Sequence, residues 1–101
     1  MIGGIVFGIG MALMEETRTD RASGRFANTN IAEYLVMVNA DIPDIETISV
    51  QTGDPITTKL GVKGIGELPT VGAAAAIANA VYHATGKRIR DLPIRLDKVM
   101  A

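Results

Sequence analysis

From Pro69 to Thr85 the chain carries no lysine, arginine, aspartate or glutamate, and only Thr70, Asn79, Tyr82, His83 and Thr85 break an otherwise apolar run. A helix that is apolar on nearly all sides has to be buried on nearly all sides. A body of 101 residues can hardly cover such a helix, so these residues are expected to belong to a larger one. Ala73 to Ala76 make the run smooth enough for very close packing. Pro69 suits a first helical turn, where its missing N–H costs nothing. Gly86 supplies the stop, and Lys87 and Arg88 complement the dipole at that end. His83 lies in the last turn and has no second histidine or cysteine to share a metal with, so it reads as a surface or packing residue.

The helix is fed by Gly61-Val62-Lys63-Gly64-Ile65-Gly66-Glu67-Leu68. Glycines let a backbone turn tightly or pass close to another group. The expectation is a glycine loop entering a helix near Pro69 or Val71, with Glu67 at the junction and aimed outward. From the local run alone, an acid at a helix start commonly complements the dipole.

Apolar residues make up 48% of the chain and charged ones 21%, so a packed core is possible and a disordered chain is not. Aromatics are 4%, which leaves the core to Ile, Val, Leu, Met and Ala. The net charge of −1 gives no basis for nucleic-acid binding. Without cysteine there is neither a disulfide nor a thiolate metal site, and the predicted metal-ligand set is empty. Met1 to Leu13 is apolar but too short and interrupted to span a bilayer, and it lacks the basic start of a signal peptide. A chain that opens on an uncapped apolar helix suggests further polypeptide upstream.

Ile2, Ile5, Val6, Ile9 and Leu13 recur at helical spacing and predict a helix over Gly3 to Glu16. Its four glycines, Gly3, Gly4, Gly8 and Gly10, cost roughly 1 kcal/mol each relative to alanine. Tight helix–helix packing offsets such a cost. Approach of a cofactor near Gly3 and Gly4 at the helix N-terminus is the functional alternative. Asp20, Ser23 and Gly24 predict a hairpin or extended excursion with its tip at Ser23-Gly24 and solvated Arg18, Arg21 and Arg25. Ile31 to Val38 reads as a strand or extended segment, and Asn39 to Asp44 as a turn closed by Pro43. Glu46 to Thr52 alternates like a half-buried strand ended by Gly53-Asp54-Pro55. Ile89 to Ala101 reads as an extended tail with a short final helical turn. The expected fold is α+β: two apolar helices packed on a small set of strands, one domain over residues 1–101.

Taken together, the two glycine stretches resemble the C-terminal portion of the molybdenum-binding subunit of the xanthine dehydrogenase/aldehyde oxidase family. The matching residues are Gly3-Gly4-Ile5-Val6-Phe7-Gly8-Ile9-Gly10, then Asp20, Gly24-Arg25, Asn28-Thr29-Asn30 and Tyr34, then Asp41-Ile42-Pro43, then Lys63-Gly64-Ile65-Gly66-Glu67-Leu68-Pro69. The resemblance covers essentially the whole chain, and its last element is the most specific. It implies part of a larger molybdopterin-binding domain. It makes Glu67 the catalytic base, taking a proton from a metal-bound oxygen that attacks an electron-poor carbon of an aldehyde or N-heterocycle. It sets Gly64, Ile65 and Gly66 on the cofactor side, with Gly3 and Gly4. Phe7 stands where relatives often carry glutamine, and no cofactor contact is assigned to it.

The implied cofactors are molybdenum-molybdopterin, plus iron–sulfur clusters and FAD on partner domains or subunits. The implied partners are the upstream remainder of the subunit, those electron carriers and a small-molecule substrate, with no nucleic acid and no membrane. The implied compartment is the cytoplasm, with the periplasm as alternative. The isolated chain is expected to be inactive and to hold no molybdenum. A reading from another class is a free-standing interaction module that dimerises through its apolar helices, since an exposed face like Val71 to Val81 seeks a partner.

Overall fold

The computed structural model describes residues 1–50, 52–54 and 56–101. Among the described residues there are three α-helices, α1 (Ile2–Leu13), α2 (Leu68–Thr85) and α3 (Leu96–Met100), and one 3₁₀ turn at Asn39–Asp41. The framework is the crossing of α1 and α2, which come from opposite ends of the sequence.

Glycine explains how closely they cross. A methyl group at Gly8 would lie 2.2 Å from Ala73 Cβ, and one at Gly4 would lie 3.2 Å from Pro69 Cδ. Gly4 and Gly8 are one helical turn apart on the same face, and both are buried. The packing reading of these two glycines is therefore the one realised. Thr70 Oγ1 adds a cross-helix hydrogen bond, donating to the Gly4 carbonyl at 2.9 Å. At Gly10 the missing side chain leaves room for Glu15 Oε1 and Met37.

Helix α2 starts one residue before Pro69 and ends as its sequence predicts. Gly86 takes the left-handed conformation at φ 74°, and its N–H donates to the Tyr82 carbonyl at 2.8 Å. Arg88 folds back over the Tyr82 ring, 3.8 Å from the centroid, and donates to Asn79 Oδ1 at 2.7 Å. The face of α2 turned away from α1 is exposed, including Val71 and Tyr82. His83 is exposed as well. No helix among the described residues is long and apolar enough to cross a membrane.

The tail docks on the end of α1. Ile94 N–H donates to the Ala12 carbonyl at 2.6 Å, and Ala12 (0% exposed) and Ile94 (4%) are the most deeply covered apolar side chains. Arg95 pairs with Glu16 at 2.7 Å and with Asp97 at 3.1 Å. Residues 18–27 form the predicted hairpin, with Thr19 bridged to Phe26. Its tip is built by Asp20, whose carboxylate accepts from Ala22 N–H at 3.0 Å and Ser23 Oγ at 2.5 Å, and by Gly24 at φ 69°. These bonds, Ser23 first, hold the Asp20 carboxyl below its usual range.

The α+β expectation is not met. Among the described residues the Thr19–Phe26 bridge is the only strand pairing. In Ile31 to Val38 the cause is Asn30. Its Oδ1 accepts the N–H groups of Ala32 and Glu33 at 3.0 and 3.2 Å, and Tyr34 N–H returns to the Asn30 carbonyl at 2.8 Å. Such side-chain bonds compete with strand formation. In Glu46 to Thr52 the alternation is present, but among the described residues no strand pairs with it, and both Ile48 and Val50 are 78% exposed. Gln51 in that segment and Pro55 in its expected stop lie outside the described residues. The architecture is a helix pair carrying irregular segments.

Candidate functional site

Glu67 occupies the N-cap position of α2, at φ −93° and ψ 10°, and its side chain makes no capping hydrogen bond. The residue is exposed. Among the described residues its carboxylate is in no ion pair. Its backbone is held instead. The Glu67 carbonyl accepts Thr70 N–H at 2.9 Å, and Ile65 accepts Leu68 N–H at 3.2 Å.

The carboxylate belongs to an open cleft of about 440 Å³ lined by Phe7, Met11, Glu15, Glu67, Thr70 and Val71. One wall is α1, where Phe7 and Met11 stand a turn apart beside the glycines that pack on α2. The other is the first turn of α2. Glu15 lies just past the end of α1. Its Oε2 accepts the Tyr34 hydroxyl proton at 2.9 Å, which raises the Tyr34 pKa; burial and the Glu15 charge push it the same way. The cleft thus combines two carboxylates, the threonine side chain and three apolar side chains.

The expected cofactor-side residues separate into two groups. Gly64, Ile65 and Gly66 are exposed, and nothing lies within 4 Å of where a side chain at Gly64 or Gly66 would begin. The loop's positive φ belongs to Gly61, at 66°, and not to Gly64 or Gly66. Gly3 is equally open, whereas Gly4 is turned beneath α2. A methyl at Gly4 would sit 3.5 Å from Glu67 Cα, so Gly4 and Glu67 are brought together across 63 positions of sequence. Open backbone next to an exposed carboxylate and an apolar cleft is compatible with a large flat cofactor carrying polar groups. Phe7, Met11, Glu15, Thr70 and Val71 were not among the expected site residues. The spacing of Phe7, Met11 and Glu15, four apart, was the signal for three of them.

The molybdopterin cofactor-binding domain family matches residues 1–43. The aldehyde oxidoreductase molybdenum-binding subunit PaoC of Escherichia coli K12 is 51% identical over 100 residues, covering 99% of this chain and 14% of that protein. The xanthine dehydrogenase molybdenum-binding subunit of Escherichia coli O157:H7 is 41% identical over 92 residues, covering 91% of this chain and 12% of that protein. The crystal structure of quinoline 2-oxidoreductase from Pseudomonas putida 86 superposes with a TM-score of 0.82 at 32% identity, over 97% of this chain and 13% of that one. The chain thus spans about a seventh of the length of the curated relatives it matches first. In sequence and in backbone, it is the counterpart of a segment of the molybdenum-binding subunits of the xanthine dehydrogenase and aldehyde oxidoreductase family.

Proposed function

We propose that residues 1–101 serve as one part of the catalytic domain of a molybdenum hydroxylase, and that Glu67 is its general base. The reaction is oxidation of an aldehyde or N-heterocyclic carbon with oxygen derived from water. The observation that carries this reading is the placement of Glu67: an exposed carboxylate, unpaired among the described residues, on a pinned helix start at a cleft. When bound, molybdenum-molybdopterin supplies the two-electron redox chemistry, with iron–sulfur clusters and FAD on partner domains or subunits as electron carriers.

Within that reading the chain's own residues divide the work. Glu67 accepts a proton from the water-derived oxygen, which requires its carboxylate within hydrogen-bond reach. Gly64, Ile65, Gly66 and Gly3 offer backbone that a cofactor can approach closely. Phe7, Met11 and Val71 give the cleft apolar surface for a ligand to cover. The activity belongs to the full-length subunit rather than to these residues alone.

In the complete enzyme, Glu67→Gln is expected to lower kcat by at least about 10²-fold while molybdenum content stays unchanged. Near-native kcat in that variant would remove Glu67 from the mechanism.

A second reading, a module that self-associates through apolar helices, is favoured by the exposed side chains of Val71 and Tyr82 on α2. A stable monomer at all concentrations in sedimentation of the isolated chain would exclude this second reading.

A further inference from the structure

We infer that Thr70 is a positioning residue for Glu67, acting through Gly4 of α1; this rests on Glu67 being the base. The Glu67 side chain has no tether of its own, so its placement depends on the backbone of the first turn of α2. Thr70 holds that turn from two directions. Its N–H donates to the Glu67 carbonyl at 2.9 Å, and its hydroxyl donates to the Gly4 carbonyl at 2.9 Å. A carbonyl has two lone pairs, so Gly4 can take this bond and still serve its own helix.

The fit around this bond is close. A methyl at Gly4 would meet Pro69 Cδ at 3.2 Å, Thr70 Oγ1 at 3.3 Å and Glu67 Cα at 3.5 Å. Helix α1 therefore sets both the height and the lateral position of the turn that carries the carboxylate. Threonine is a mediocre helix former, and a hydroxyl directed at a neighbouring helix gives it a reason to stand here. Thr70 also lines the cleft beside Glu67.

The test uses the complete molybdenum enzyme. Thr70→Val keeps the shape and removes the hydroxyl. The expected result is a fall in kcat of about 10-fold, as a small misplacement of a catalytic group produces, with KM and molybdenum content unchanged. Thr70→Ser restores kcat. In a Glu67→Gln background, Thr70→Val causes no further loss, because its effect runs through the missing carboxylate.

Full kcat in Thr70→Val, or losses that simply add in the double variant, overturns the inference. Should Thr70→Val fail to assemble, Gly4→Ala displaces the same turn and is expected to lower kcat with KM unchanged. Full kcat in an assembled Gly4→Ala enzyme likewise overturns it. Turnover that survives Glu67→Gln sinks the base assignment itself, a result distinct from a silent Thr70→Val beside an inactive Glu67→Gln.

Discussion

Gly8 and Gly72 are both helical glycines, yet they answer to opposite demands. A methyl at Gly8 overlaps Ala73 Cβ, 2.2 Å away, and neither carbon can rotate aside. At Gly72 nothing lies within 4 Å. Gly8→Ala is therefore expected to destabilise, because overpacking of about 1–3 kcal/mol exceeds the gain in helix propensity. Gly72→Ala is expected to stabilise by up to about 1 kcal/mol. Thermal unfolding followed by circular dichroism checks both signs, and equal shifts would refute the close crossing. The sequence shows that α1 carries too many glycines to be an ordinary helix, but not which of them face a neighbour. That information lies in Pro69, Thr70 and Ala73, more than sixty positions away. For the same reason Glu67 could be picked out as a candidate from its local run, while the spacing of Phe7, Met11 and Glu15 marks a shared strip of sequence without showing that Glu67 lies across from it.

Both long helices could be read because their signals are local: apolar spacing, Pro69 at the start of α2 and Gly86 at its end. The hairpin of residues 18–27 could be read from Asp20, Ser23 and Gly24 on the same ground. Strands failed because alternation predicts an edge and pairing needs a second one. Residues 46–50 have the pattern without the partner. The joint between α1 and the segment after the hairpin is the Tyr34–Glu15 hydrogen bond. It raises the Tyr34 pKa above the usual phenol value of about 10. A raised pKa means that the tie contributes fully below the ordinary value and is lost as pH climbs through the higher one. Titration of Tyr34 by NMR should show its ionisation above that of a free phenol, and Glu15→Gln should bring it back down. An unmoved Tyr34 in that variant would disconnect the two segments.

The whole molecule spans 54 × 36 × 26 Å with a radius of gyration of 17.4 Å, against about 13 Å for a compact domain of this length. Ile31, Ile56 and Leu60 are almost fully exposed. So much uncovered apolar surface predicts that the isolated chain associates with rising concentration, which sedimentation velocity would register as growth in the weight-average coefficient. A concentration-independent monomer would show that these residues fold back on themselves in solution. The charge-free run of α2 raised the expectation of a larger body, and the exposed side chains of Val71 and Tyr82 are where a cover would sit. Helix α1 divides its labour along neighbouring strips of one face. Gly4 and Gly8 fit beneath α2, with no room for a methyl at Gly8 and little at Gly4, whereas Phe7 and Met11 beside them line the cleft. Residues 7 and 11 take no part in the Thr70–Gly4 bond, so exchanging them is expected to change the size and polarity of the cleft while the first turn of α2 keeps its place.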